Sequence, residues 1–217
     1  MALISVILPT YNRRDLLERA LCSVLTQTYR DIETVVVNDG GEPVLDIVKR
    51  RLPEAVYIAH GRNKGLPAAR NTGLRYASGK LIAYLDDDDW YYPDHIDTLV
   101  SEMQIGTEFA YTDADILDKD GKLHLYMSRD YDPAAFRTFN QFPVCCAMHT
   151  RRLLDQAGWF DESLENHEDW DLWLRMAKFT DFVHIPRVTC AVDRTRPTMM
   201  DNDRHLEGYA LVKARYA

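Results

Sequence analysis

The sequence predicts an α/β fold: a mostly parallel, twisted sheet flanked by helices, with a small antiparallel portion in the C-terminal half. Three observations carry this expectation. Short apolar runs rich in branched residues recur near residues 3, 32, 55 and 81, and helical-period segments separate them. Strands alternating with helices imply βαβ crossovers and a parallel sheet. The run Leu81-Ile82-Ala83-Tyr84-Leu85 stops abruptly on Asp86-Asp87-Asp88-Asp89, with Trp90-Tyr91-Tyr92-Pro93 behind it. That is the pattern of a buried strand delivering acids to the carboxyl end of an open sheet, where ligands of such sheets sit. Finally, 217 residues with 46% apolar and 28% charged content suffice for one sizeable core, so 1–217 reads as a single domain.

Taken in order, Leu3 to Leu8 is nearly all apolar, as a strand covered on both faces should be. Pro9-Thr10-Tyr11-Asn12 ends it, and Asn12 is placed to cap a helix with Asp15 three residues on. Leu16, Leu17, Ala20, Leu21, Val24 and Leu25 form that helix's apolar face. Ile32 to Val37 is a second strand, broken by Asn38-Asp39-Gly40-Gly41. A helix over about Glu42 to Arg51 and a strand over Ala55 to Ala59 follow. Pro67 suits a helix first turn and Gly79 its stop. This helix carries Arg70 near its N-terminus, where the dipole disfavours a cation. Two uses fit Arg70: neutralising a diphosphate together with Arg62 and Lys64, or pairing with one of Asp86 to Asp89.

Beyond the acidic run, a helix over about Asp94 to Glu102 and a strand over Phe109 to Asp113 are expected. Turn chemistry at Asp118-Lys119-Asp120-Gly121 points to a returning hairpin arm over Leu123 to Met127. Ser128 to Phe142 has no clear period and reads as a mobile loop without chemistry. Val144 to His149 reads as a strand and Arg151 to Ala157 as a short helix. Trp170, Trp173, Leu174 and Ala177 share one helical face, which places Glu168 and Asp169 in the first turn. Phe182 to Ile185 is a short strand ending at Pro186. A polar stretch from Arg194 to Asn202 precedes a final helix, Asp203 to Tyr216.

Composition narrows the function. A net charge of −8 opposes nonspecific nucleic-acid binding, which needs a basic face. No apolar run reaches the roughly 20 residues that span a bilayer, and Met1-Ala2-Leu3-Ile4 lacks the basic start of a signal peptide. Of Cys22, Cys145, Cys146 and Cys190, no pair has C-x-x-C spacing, and adjacent Cys145 and Cys146 would point to opposite faces of a strand. Reduced buried thiols in a cytosolic protein are the expectation, rather than a zinc site.

The acidic run has its own arithmetic. Two carboxylates about 5 Å apart repel by roughly 3 kcal/mol at an effective dielectric of about 20. A helix N-terminus returns only about 0.3–1 kcal/mol. A confined cluster therefore calls for a cation, and oxygen ligands point to magnesium, manganese or calcium. In open water the repulsion falls to about 1 kcal/mol or less, which suits a plain solvated turn before the helix near Pro93.

Four motifs stand in one order: Val6-Ile7-Leu8-Pro9-Thr10-Tyr11-Asn12, Val37-Asn38-Asp39-Gly40, Ala69-Arg70-Asn71-Thr72-Gly73 ahead of Tyr84-Leu85-Asp86-Asp87-Asp88-Asp89, and Glu168-Asp169-Trp170-Asp171-Leu172-Trp173. Together, from Leu3 to about Pro186, they resemble the family 2 inverting glycosyltransferases with the Rossmann-like GT-A fold. The resemblance implies roles. Pro9, Thr10, Tyr11 and Asp39 would hold the nucleoside of a sugar donor. Asp86 and Asp87 match ribose- and sugar-facing positions, and Asp88 matches the ligand of a divalent cation, Mn2+ or Mg2+. Arg70 matches a basic position near the donor. Asp169 matches the general base, with Glu168 orienting the site or contacting acceptor. Residues 1–104 would form the nucleotide-sugar half, 105–190 the acceptor and catalytic half, and 191–217 a tail helix.

Two departures stand out. Asn38-Asp39 replaces the common pair of aspartates, and the histidine often found after the last strand is lacking. Asp193 and His205 are the side chains left to complete the metal shell. The implied activity is transfer from a nucleotide-diphosphate sugar, a UDP-sugar above all, to a surface glycan or lipid-linked sugar in a bacterium. The implied place is the cytoplasm, peripheral at the inner face of the membrane. Two alternatives share the fold: a nucleotidyltransferase, which normally has a Gly-rich basic loop after the first strand, and a catalytically silent sugar- or partner-binding module.

Overall fold

The computed structural model describes residues 2–196 and 204–216. Its first half is four parallel strands, β1 (Ile4–Thr10), β2 (Ile32–Asn38), β3 (Val56–Ala59) and β4 (Leu81–Tyr84), in the order β3-β2-β1-β4. Helices α1 (Arg14–Leu25), α2 (Leu45–Arg51) and α3 (Leu66–Tyr76) connect them. Every residue of β1 and β4 is buried, as their nearly continuous apolar runs lead one to expect.

The register positions the acids. Ile7 pairs with Tyr84, so β4 ends there while β1 continues to Thr10. The chain after Tyr84 must therefore run past Thr10 and Tyr11 at the carboxyl end of the sheet.

The second half adds β5 (Trp90–Tyr91), α4 (His95–Met103), β6 (Phe109–Leu117), β7 (Leu123–Met127), α5 (Pro133–Phe136), β8 (Ala147–Thr150), α6 (Arg151–Ala157), α7 (Glu168–Met176), β9 (Val183–Asp193) and α8 (Arg204–Tyr216). The sheet extends from β4 through β8, β6 and β9 to β5, with β7 on β6. Pairs β4–β8, β8–β6, β9–β5 and β6–β7 are antiparallel, while β6–β9 is parallel. The mostly parallel sheet with an antiparallel C-terminal portion is thus observed. Tyr84 and Phe109 pack on Trp173, which is fully buried with Trp170. Among the described residues, no helix is long and apolar enough to cross a membrane.

Several local expectations are corrected. Asn12 does not cap α1: it sits at φ 55°, and its Oδ1 accepts instead from the Glu42 amide at 2.8 Å, tying the end of β1 to the turn after β2. Leu25 faces solvent. α3 stops at Tyr76, before Gly79, where a Cβ would lie 2.5 Å from Ser5 Oγ. β9 does not end at Pro186. It runs on to Asp193, and the register skips from Ile185 to Val188, so the proline lies in a bulge where no ladder bond is asked of it. Ser128 to Phe142 is not an irregular surface loop: it contains α5 and buries Phe136 and Phe142 in the core. Residues 144–146 form a 3₁₀ turn rather than a strand, so Cys145 and Cys146 do not point to opposite faces. Most of the polar stretch 194–202, and Asp203 of the expected last helix, lie outside the described residues.

Candidate active site

One cavity of about 660 Å³ opens at the carboxyl end of the parallel strands. The ten side chains to which the resemblance assigned roles all line it. Pro9, Thr10 and Tyr11 come from the end of β1, Asp39 from the end of β2 and Arg70 from α3. Asp86, Asp87 and Asp88 follow β4, and Glu168 and Asp169 come from the first turn of α7. Asp88 and Asp169, 81 residues apart in number, therefore face a common space.

Each of these groups is held by named bonds. Asp87 accepts from the Thr10 hydroxyl (2.7 Å), the Tyr11 amide (3.4 Å) and Arg13 (3.1 Å). Arg13 also pairs with Asp88 at 2.5 Å. Asp39 is the keystone of the loop before α3: its carboxylate accepts from the Lys64 amide (3.0 Å) and the Gly65 amide (2.9 Å) and meets His60 Nδ1 at 2.6 Å. Next to it Gly40 has φ 75°, and a Cβ there would stand 2.2 Å from the Arg62 carbonyl carbon. Gly40→Ala is expected to cost about 1–3 kcal/mol or more in chemical denaturation, because left-handed strain and a backbone clash combine.

Arg70 is 1% exposed and bridges the two halves. One guanidinium nitrogen grips both Asp86 oxygens at 2.7 and 3.0 Å, and the other donates to Glu168. Of the two uses open to Arg70, the structure fills the carboxylate pairing. Arg62 and Lys64 do not line the cavity.

Burial dominates the electrostatics. It pushes the Glu168 carboxyl up to about 7 against the opposing charge of Arg70, with Asp169 adding to the rise. It raises Asp169 as well, again against Arg70. The helix N-terminus alone therefore does not set the ionisation of Asp169. Asp87 is pushed up to about 6 by burial, with Arg13 opposing and Asp88 reinforcing. Burial also lowers the charge tendency of Arg70, but Asp86, Glu168 and Asp169 more than reverse this.

A carboxyl whose folded pKa is raised adds stability that is complete below its unfolded pKa and lost as pH rises through the folded one. Without added divalent cation, thermal stability should therefore carry a falling component from about pH 4 up to the values near 6 and 7 of Asp87 and Glu168. Melting curves across that window should show a shallower fall in Glu168→Gln.

Sequence reasoning missed several lining residues. Arg13 directly follows the first motif, and a cation beside four acids was the available signal. Asn140 donates to Asp169 Oδ2 at 3.0 Å from an aperiodic segment that gave no signal. His167 stands at φ 58°, a strained conformation of the sort that clusters at functional sites. Its Nε2 lies 2.9 Å from Nδ1 of His205 on α8. α8 packs against this region: Tyr209 stacks on Trp170, its hydroxyl donates to the Thr138 carbonyl at 2.7 Å, and Val212 is fully buried. Asp193 reaches the cavity wall but already accepts from Arg19 at 2.6 Å and from the Thr195 hydroxyl.

The fold has close counterparts. S. aureus TarS residues 1–349, solved in complex with UDP-GlcNAc, superimposes with a TM-score of 0.80 at 18% identity, over 97% of this chain and 65% of that one. A mannosyltransferase from Pyrobaculum calidifontis, solved with GDP-Man and Mn2+, gives 0.69 at 20% identity, over 99% and 61%. The architecture is the GT-A fold of the glycosyltransferase class. Within that class the chain belongs to glycosyl transferase family 2, whose profile matches residues 5–151.

Sequence relatives agree. The chain is 38% identical over 200 residues to the uncharacterized glycosyltransferase YwdF of Bacillus subtilis, covering 87% of this chain and 72% of that protein. It is 30% identical over 196 residues to the chondroitin synthase of Escherichia coli, covering 86% and 28%. An uncharacterized glycosyltransferase of Rickettsia prowazekii is spanned over 58% of its length.

Proposed function

We propose that this chain catalyses inverting, metal-dependent transfer of a sugar from a nucleotide-diphosphate sugar, a UDP-sugar, to a hydroxyl of a glycan or lipid-linked acceptor. The observation that carries the reading is that Asp88, after β4, and Asp169, in the first turn of α7, line one cavity. Nucleotide sugars in the solved GT-A neighbours support the donor class.

Residues 1–104 hold the donor. Buried Thr10 and exposed Tyr11 take the nucleoside, with Asp39 fixing the loop beside it. The donor set beyond them, carboxylate oxygens from successive residues, suits a hard divalent cation, to which the Arg13 guanidinium now paired with Asp88 would yield its place. Asp88 would hold the ion, Mn2+ or Mg2+; Asp193 and His205 line the same cavity. When bound, such an ion supplies charge neutralisation for the departing nucleotide diphosphate.

The chain's own residues do the rest. Inversion needs one base, which takes the proton from the incoming hydroxyl. Asp169 serves, its Oδ2 aimed by Asn140. Arg70, through Asp86 and Glu168, locks the donor-side acids to the base-bearing helix. Residues 105–190, together with α8, shape the acceptor side and exclude water that would hydrolyse the donor. The enzyme works in the cytoplasm, at the inner face of the membrane where lipid-linked acceptors are presented.

Calorimetry with UDP and Mn2+ tests the donor site: binding is expected, and none at millimolar ligand sinks the reading. The anomeric configuration of the product, read by NMR against that of the donor, tests inversion; a retained configuration removes the single-base scheme.

A further inference from the structure

A second cluster lies beneath the acidic loop, and sugar transfer makes no use of it. Cys190 Sγ on β9 lies 3.4 Å from Cys146 Sγ and 3.8 Å from Cys145 Sγ. All three sulfurs lie within 4.8 Å of one another, and none of the three residues is exposed. The 3₁₀ turn makes this convergence possible, because adjacent strand residues would diverge to opposite faces.

The spacing is that of a shared ion. Zinc–thiolate bonds of about 2.3 Å at the tetrahedral angle hold their sulfurs about 3.8 Å apart. The observed separations need adjustments of tenths of an ångström to roughly one. A fourth donor is close at hand: the buried Asp89 carboxylate stands beside the three thiols and needs only to close on them, and its Oδ1 accepts from the Asp193 amide at 3.1 Å. Three sulfurs and one oxygen select soft or borderline cations such as Zn2+ and Cd2+ over Mg2+ and Mn2+. The cluster would therefore not compete for the ion proposed at Asp88.

We propose that Cys145, Cys146 and Cys190, with Asp89 as fourth ligand, form a structural binding site for a thiophilic divalent cation of the zinc type. It ties β9 and the 144–146 turn to the loop that presents Asp88. On binding, each thiol releases its proton to buffer as its sulfur–metal bond forms, and no electrons change hands. This site stands independently of the transfer reaction.

The test uses the full chain, reduced, stripped of metal and held in excess Mg2+, titrated with Cd2+ alone. One equivalent per chain should bring thiolate-to-metal charge-transfer absorption and a rise in Tm. Both should be lost in Cys190→Ser and Cys190→Ala and kept in Asp88→Asn. Near-UV circular dichroism of each variant establishes that it is folded, and the wild-type titration stands without them. Wild-type protein that takes up no Cd2+, or stoichiometric charge-transfer absorption that survives in folded Cys190→Ala, overturns the proposal. Either result leaves the thiols as plain core packing.

Discussion

Asp169→Asn is expected to lower the transfer rate by about 10²–10⁴-fold, the range that a positioned general base contributes. UDP and Mn2+ affinity should stay within about twofold, since Asp169 lies across the cavity on α7 while the proposed nucleotide contacts come from β1 and β2. Asparagine keeps the shape, and its amide oxygen can still accept from Asn140, so packing should be little changed. Single-turnover rates with a UDP-sugar, set beside calorimetric UDP binding, separate the two effects. Transfer at the wild-type rate would remove Asp169 from the base role without touching the donor site. Asn140→Ala should show a milder fall in the same assay, because it orients the base and does not take the proton.

Arg70→Met is expected to destabilise the fold by about 3–5 kcal/mol near pH 8, as removing one partner of a buried ion pair does. The reason lies in what is left behind. Glu168 is 4% exposed and loses its only ion-pair partner among the described residues, while Asp86 loses a two-oxygen grip. The sign of the pH dependence follows. Without Arg70 the Glu168 carboxyl, already raised by burial, rises further. The deficit should therefore shrink as pH falls and Glu168 takes up a proton. Denaturant midpoints at pH 5 and pH 8 check this; a deficit equal at both would mean that the charge on Glu168 is not the cause. Arg70→Lys should recover only part of the loss, since a point charge cannot serve two carboxylates on separate elements.

Much of this architecture was legible because it is written locally. β1, β4 and the second half of β2 are mostly apolar runs, and such runs report burial on both faces directly. The acids at the end of β4 could be assigned to the carboxyl edge of the sheet, since a parallel strand has only one end from which to deliver them. Trp170 and Trp173 announced the buried face of α7, and with it the position of Asp169 in the first turn.

What was misread depended on partners far along the chain. Asn12 looks like a helix cap from its neighbours, yet its side chain bonds a turn 30 residues away. Pro186 looks like a strand end, yet β6 and β5 hold β9 on either side of the bulge. Residues 128–142 have no period because they fill a gap between elements and present no regular face. Asn140 is therefore invisible until α7 stands beside it. Arg62 and Lys64 carry the right charge, and only the cavity wall decides that they do not face it.

The sequence by itself determined the strand–helix alternation, the buried centre of the sheet and the set of acids that cluster at its edge, because hydrophobic period and turn chemistry act over a few residues. Tertiary structure alone decided who partners whom: Arg70 with Asp86 and Glu168, Arg13 with Asp87 and Asp88, three cysteines in one pocket of sulfur, and α8 laid over Trp170. Burial and pairing set each group's charge, and both come from residues tens of positions away brought together by packing. No short window of the chain contains them.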